Sequence, residues 1–174
     1  MNEKFTIGII VSNHFGVLNR VAGLYAKRGY NIDSLAVGET DNPHFSRMTI
    51  VSTGDEYMKE QVISQLRKLH DVKIVELLDK DNSATVEHML IKIKANGNTA
   101  NVSELINSYS GKVLDFGNDY ILAEITGGYG KIDEFIGEAD EYGILETCRS
   151  GLISMVRGTD NMLSVEKLEK NNKK

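Results

Sequence analysis

The order of short apolar segments constrains the fold most strongly, because the same order occurs twice along the chain. Strands are expected where β-branched residues fill runs too short for a helix, and helices where apolar residues recur every three or four positions. In the first half the order is strand, helix, strand, strand, helix, strand, with the strands predicted at residues 5–11, 32–38, 45–52 and 72–78. The first helical stripe begins after Gly16 and ends at Gly29, a typical helix stop.

The second half repeats this order after a polar break at residues 79–83. Its strands are predicted at residues 86–94, 112–116, 120–126 and 144–156, the last with an interruption allowed near Gly151. The pattern predicts an α+β chain of two tandem ferredoxin-like β-α-β-β-α-β domains, each an antiparallel sheet with two helices on one face. The predicted boundaries are 1–79 and 84–158, followed by a polar tail at 159–174.

Composition excludes some classes of function. There are 25 acidic against 20 basic residues, a formal charge of -5, which argues against a nucleic-acid partner. The single cysteine, Cys148, cannot form an internal disulfide and is expected to be a buried thiol in a reducing compartment, so we expect a cytoplasmic protein. The chain has no apolar run long enough for a membrane span, so no membrane partner is expected.

The residue types of catalytic and metal sites are scattered. The four histidines show no close pairing with Cys148 or with one another at metal-ligand spacing, and Cys148 lies in no nucleophile motif. We therefore predict no catalytic residue, no metal site and no cofactor site in this chain.

One loop has the chemistry of a ligand site. Residues 13–16 lie between the first predicted strand and helix, where free backbone N–H groups and the positive end of the helix dipole favour an anion. Gly16 lets an anion approach the backbone, and the amide of Asn13 can both donate and accept, as a free amino acid requires. The alternative, with Asn13 as a helix cap and Gly16 as a turn residue, stays open on spacing alone.

Three segments in register resemble the acetolactate synthase small-subunit family. They are NHFGVLNRVAGL at residues 13–24, RGYNIDSL at 28–35 and SRMTI at 46–50. The resemblance continues through GKV at 111–113 and RSGL at 149–152, and so reaches about Gly158. The chain differs at His14 and Phe15, where family members more often have an acidic residue followed by a small residue or proline.

The resemblance implies a regulatory subunit of acetolactate synthase in valine, isoleucine and leucine biosynthesis. Residues 1–79 would form an effector-binding ACT domain that pairs into a homodimer, and residues 84–158 the family's second ferredoxin-like domain. The chain would activate a catalytic large subunit carrying thiamine diphosphate, Mg and FAD, and would make that subunit sensitive to valine. In this family valine binds between two chains, which here implies Asn13, His14, Phe15, Gly16, Val17 and Leu18 from one chain and Asn31 and Ile32 from the other.

Other functions fit the same fold. An ACT domain could bind an amino acid and regulate another enzyme, and RNA-recognition domains share this order of elements. The predicted strand FSRMTI at residues 45–50 lacks the aromatic-rich RNA-binding signature. A stand-alone enzyme would need a perturbed acid–base pair in a pocket.

Overall fold

The computed structural model describes residues 2–128, 130–159 and 161–162 and contains the predicted order of elements twice. The first set is β1 Glu3–Ser12, α1 Val17–Arg28, β2 Ser34–Glu39, β3 Phe45–Gly54, α2 Glu56–Leu66 and β4 Val72–Leu78. The second is β5 Ser83–Lys94, α3 Thr99–Ser108, β6 Lys112–Phe116, β7 Tyr120–Gly127, α4 Lys131–Ala139 and β8 Ile144–Val156. The predicted fold class is confirmed.

The chain divides into two compact units. One runs from the start of the described chain to Ala84 and takes in the described residues from Leu152 onward, and the other is Thr85–Gly151. β8 is continuous through Gly151, which has φ +76°, so the strand passes from one unit to the other without the interruption that was allowed there. The functional boundaries at 79 and 84 stay predictions, and most of the predicted polar tail at 159–174 lies outside the described residues.

The first sheet has the order β2-β3-β1-β4, with antiparallel pairing of every neighbour. Ile50 of β3 lies opposite both Ile7 of β1 and Leu35 of β2, so apolar residues of three strands share one face. α1 and α2 cover this face because their apolar stripes pack on it, and the buried core contains Phe5, Ile7, Ile9, Val11, Val17, Val21, Tyr25, Met48, Ile50, Val62, Leu66, Val72 and Val75.

The opposite face of the first sheet is partly covered by residues that follow Gly151. Met162 packs against Ile10 and Ile74, and the backbone N–H of Leu152 donates to the Ser34 hydroxyl at 3.0 Å. Arg47, to which the sequence assigns no role, donates from Nη2 to the carbonyl of Ser154 at 2.7 Å. The end of β8 is therefore part of the first unit's packing.

The second sheet has the order β6-β7-β5-β8, and α3 and α4 pack on one face of it. Its core contains Met89, Ile91, Ile93, Ala95, Val102, Ile106, Ile121, Ala123, Ile125, Ile132, Phe135 and Ala139. Glu87 is buried and bound through both carboxylate oxygens by Arg149, at 2.9 and 2.6 Å. Such a bidentate pair is needed because an isolated buried charge is very costly.

The prediction of a buried Cys148 is wrong, because its thiol is free and exposed. β8 is an edge strand of the second sheet, and residues 145–150 are all exposed. The described helices of this unit, α3 and α4, pack on one face of that sheet, and Cys148 lies on its edge strand, which has a described neighbouring strand on one side.

Candidate functional site

The loop between β1 and α1 is held from two sides by backbone hydrogen bonds. The N–H of Ser12 donates to the carbonyl of Asp71 at 2.8 Å, and the N–H of Asn13 donates to the carbonyl of His44, also at 2.8 Å. Asp71 lies just before β4, and His44 lies just before β3. The loop therefore has a fixed place at the end of the sheet.

Gly16 forms the N-cap of α1 in a left-handed conformation, with φ +85° and ψ -7°. A Cβ added at this position would meet no atom of the described chain within 4 Å, so the space beside the backbone is open. No side chain caps the helix, and its first turn contains no acidic residue. The N–H of Val17 donates to the carbonyl of His14 at 3.5 Å, and the N–H groups of the next two residues have no partner among the described residues. These groups and the positive end of the helix dipole are thus available to an anion.

Asn13 is not the cap of α1, so this part of the alternative interpretation is wrong, whereas Gly16 is a turn residue, as that alternative states. Its Nδ2 donates to Oε2 of Glu39 and to the carbonyl of Pro43, both at 3.0 Å. Because the amide nitrogen is the donor in both bonds, the amide oxygen is the atom that can accept a hydrogen bond from a ligand ammonium group.

His14 joins a small network around the carboxylate of Asp71. His14 Nε2 lies 3.0 Å from Oδ1 of Asp71, and a guanidinium nitrogen of Arg20 donates to Oδ2. Burial acts to raise the pKa of Asp71, but the hydrogen bonds from Arg20 and His14 outweigh it and hold this pKa below its usual value. Asp71 is therefore ionised at neutral pH. Phe15, which follows His14 in the loop, has an almost fully exposed side chain.

The remaining predicted positions contribute in different ways. The side chain of Val17 is buried in the core, so only its backbone can face a ligand, whereas Leu18 is about half exposed. Asn31 is exposed and donates from Nδ2 to Oδ1 of Asp33 at 2.7 Å, and Ile32 is half-buried against the core.

Residues 13–18 and 31–32 lie at opposite ends of α1. The helix has twelve residues, which is about 18 Å at the usual rise of 1.5 Å per residue. One chain therefore does not bring the two predicted parts of the site together.

Sequence reasoning missed the two side chains that bind the loop, Glu39 and Asp71, and also Arg20, which binds Asp71. Glu39 is 26 residues from Asn13, and Asp71 is 57 residues from His14. No spacing rule links positions so far apart. The only local signal was that Arg20 follows Gly16 by one helical turn, which places it on the same side of α1 as the loop.

Among the described residues, no group of three or more histidine, cysteine or acidic side chains is placed to hold a metal ion. Within the same part of the chain, no helix is long and apolar enough to cross a membrane.

Comparison with known proteins assigns both halves of the chain. Residues 7–73 match the family model described as the AHAS small subunit-like ACT domain, and residues 86–158 match the model described as the small subunit of acetolactate synthase. A relative from Archaeoglobus fulgidus, named probable acetolactate synthase small subunit, is 42% identical over 157 residues, which are 89% of this chain and 98% of the relative. The chain belongs to the acetolactate synthase small-subunit family.

Other members of the acetolactate synthase small-subunit family agree with this assignment. The acetolactate synthase isozyme 3 small subunit of Escherichia coli is 38% identical over 87% of this chain and 94% of that protein. The crystal structure of the acetolactate synthase small subunit from Thermotoga maritima superposes with a TM-score of 0.84 at 32% identity, covering 91% of this chain and 99% of that chain. Family membership supports a regulatory role and confirms that the first domain is an ACT domain.

Proposed function

We propose that this chain is the regulatory subunit of acetolactate synthase, that it has no catalytic site, and that it activates a separate catalytic subunit and makes it sensitive to valine. The observation that carries the proposal is the similarity to small subunits along almost the whole length of both proteins. In this proposal residues 1–79 bind the effector, and residues 84–158 form the second domain of the family. Thiamine diphosphate, Mg and FAD belong to the catalytic partner.

The chemistry of the loop suits the two charged groups of valine. The carboxylate would accept hydrogen bonds from the backbone N–H groups at the start of α1, where Gly16 leaves open space. The ammonium group would donate to the amide oxygen of Asn13, whose nitrogen is already bound to Glu39 and Pro43. The half-exposed Leu18 is near enough in sequence to offer an apolar surface to the valine side chain.

The site needs two chains because its two parts lie at the two ends of α1. β2 is an edge strand, so its free edge can pair with the same strand of a second copy. β2 begins at Ser34, beside Asn31 and Ile32, and ends at Glu39, which is bound to Asn13. Antiparallel pairing of two β2 strands places the Glu39 end of one chain against the Ser34 end of the other, and so brings together the loop of one chain and residues 31–32 of its partner.

Feedback inhibition then follows from differential binding. Valine bound between two chains favours the dimer arrangement in which both parts of the site are in contact, and allosteric coupling of this kind typically amounts to about 1 to 3 kcal/mol. The catalytic subunit senses that arrangement through its contacts with the dimer.

Titration of the isolated protein with valine tests the site directly. We expect calorimetry to give one valine per chain and a rise in thermal midpoint, since a ligand at a hundredfold excess over its dissociation constant stabilises the folded state by about 2.7 kcal/mol. D-valine is the matched control, because it has the same groups in the mirror-image arrangement and should bind much more weakly. Absence of both heat and thermal shift at millimolar valine would contradict the proposed site.

A further inference from the structure

Asp71 lies outside residues 13–18, which we call the effector loop, but it contacts one residue of this loop and one residue on each side of it. Its carbonyl accepts from the N–H of Ser12, and its two carboxylate oxygens are bound by His14 and Arg20. Its side chain is only 6% exposed, whereas those of His14 and Arg20 are 50% and 56% exposed. The buried member of the network is therefore the carboxylate, and its two partners reach it from the surface.

The two partners of Asp71 lie on either side of Gly16. His14 is two residues before it, and the backbone N–H of Arg20 donates to the Gly16 carbonyl at 3.1 Å in the first turn of α1. A carboxylate bound to both side chains restricts the backbone between them, including the left-handed Gly16. Fixing a binding loop before the ligand arrives lowers the entropy lost on binding and so raises affinity.

We propose that Asp71 is a positioning residue for the effector loop, which sets the affinity for the effector's carboxylate through His14 and Arg20 without touching the effector. The proposal rests on the proposed function, because it assigns the loop at residues 13–18 to effector binding. It adds that the affinity of the site depends on a residue that is 57 positions from His14 in the sequence but in contact with it in the fold.

Asp71→Asn tests the proposal in the complex of this chain with its catalytic subunit. Asparagine keeps the shape of the side chain and loses the charge that binds His14 and Arg20. We expect the valine concentration for half-inhibition to rise about tenfold, with activation in the absence of valine unchanged within about twofold. Glu87→Gln is the matched control, because it removes another buried carboxylate bound to an arginine, in the second unit, and should leave half-inhibition unchanged. An equal change in the half-inhibiting valine concentration for Asp71→Asn and Glu87→Gln would overturn the proposal.

A double-mutant cycle separates positioning from a general loss of stability. His14→Ala removes a half-exposed side chain, so this variant should fold, and it should itself raise the valine concentration for half-inhibition. If Asp71 acts through the network, its substitution should have a smaller effect once His14 or Arg20 has been replaced by alanine. If Asp71→Asn raises the half-inhibiting valine concentration by the same factor whether or not His14 or Arg20 has been replaced, Asp71 acts by another route and the proposal is overturned.

Hydrogen exchange in the protein without effector tests positioning independently of valine. Asp71→Asn should speed exchange of the amides at residues 14–18 several-fold, while the amides of β3 exchange at the wild-type rate. Unchanged exchange in the loop would overturn the positioning role. A wild-type complex that valine does not inhibit would instead count against the proposed function, and the exchange result would still decide the role of Asp71.

Discussion

At the scale of single residues, the backbone of Gly16 lies in a region that costs other L-residues roughly 1 to 2 kcal/mol. The open space beside it means that a side chain at this position would project into the proposed effector volume without touching the described protein. A substitution at Gly16 is therefore expected to have two effects. The backbone angle lowers the stability of the folded state, and the added side chain lowers the affinity for the effector.

Gly16→Asp should abolish inhibition by valine and should lower the thermal stability only modestly. The added carboxylate would occupy the volume meant for the carboxylate of valine and repel it, while aspartate tolerates left-handed geometry better than most residues and suits a helix N-terminus. The assay compares inhibition of the complex by valine and the thermal midpoint of the isolated chain for variant and wild type.

Gly130→Asp is the control for the backbone part of that cost. Gly130 is the N-cap of α4 and has φ +86° against +85° at Gly16, and an added Cβ there would meet no described atom within 4 Å apart from its chain neighbours. It should show a similar loss of stability and retain inhibition by valine. A folded Gly16→Asp protein that valine still inhibits as it does the wild type would remove Gly16 from the site.

Part of this residue-level account could be predicted from the sequence. Gly16 and Asn13 stand out because they lie where a strand-like pattern changes to a helical one. Asp71 and Glu39 could not be predicted, because they meet the loop only when the sheet has formed and no local pattern connects them. The contacts of Asn13 likewise could not be predicted, because an asparagine at this position could cap the helix or bind other parts of the chain equally well.

At the scale of elements, β2 carries the proposed contact between two chains. Val37 lies near the middle of this six-residue edge strand and is 47% exposed. In an antiparallel β2 pair the two Val37 side chains would lie close to the two-fold axis.

Val37→Lys should therefore weaken the dimer, because it places two like charges near the axis and because lysine is a residue that protects free strand edges from pairing. We expect the dimer dissociation constant, measured by analytical ultracentrifugation, to rise about tenfold or more. Leu77→Lys is the matched control, since Leu77 is 45% exposed on β4, the opposite edge strand. If Leu77→Lys dissociates the dimer and Val37→Lys does not, the chains pair through the other edge.

The elements themselves were predictable because periodicity and turn residues agree throughout most of the chain. Every predicted strand and helix is present, and the strands at residues 72–78, 112–116 and 144–156 have the predicted bounds. The sequence did not indicate that the end of β8 packs with the first unit, because the contacts of Leu152 and Ser154 with Ser34 and Arg47 join residues more than 100 positions apart. The exposure of Cys148 was missed for a related reason, since composition does not show which strand is at the edge.

At the scale of the whole molecule, the proposed function is that of a sensor whose effect appears on another protein. Its charge is -5, its described residues contain no metal-binding cluster, and its candidate site combines an open helix N-terminus with amide groups. In the proposed function this combination binds a small amino acid, and the His14–Asp71 pair beside it positions the loop. The proposed effect on a catalytic subunit is therefore measured in the presence of that subunit.

Reconstitution with the purified catalytic subunit tests the central claim most directly. Acetolactate formation from pyruvate is measured for each protein alone, for the two together, and for the two together over a range of valine concentrations. We predict no product from this chain alone, a faster rate for the mixture than for the catalytic subunit alone, and loss of that increase as valine is added. Acetolactate formation by this chain alone, or a mixture no faster than the catalytic subunit and indifferent to valine, would contradict the account.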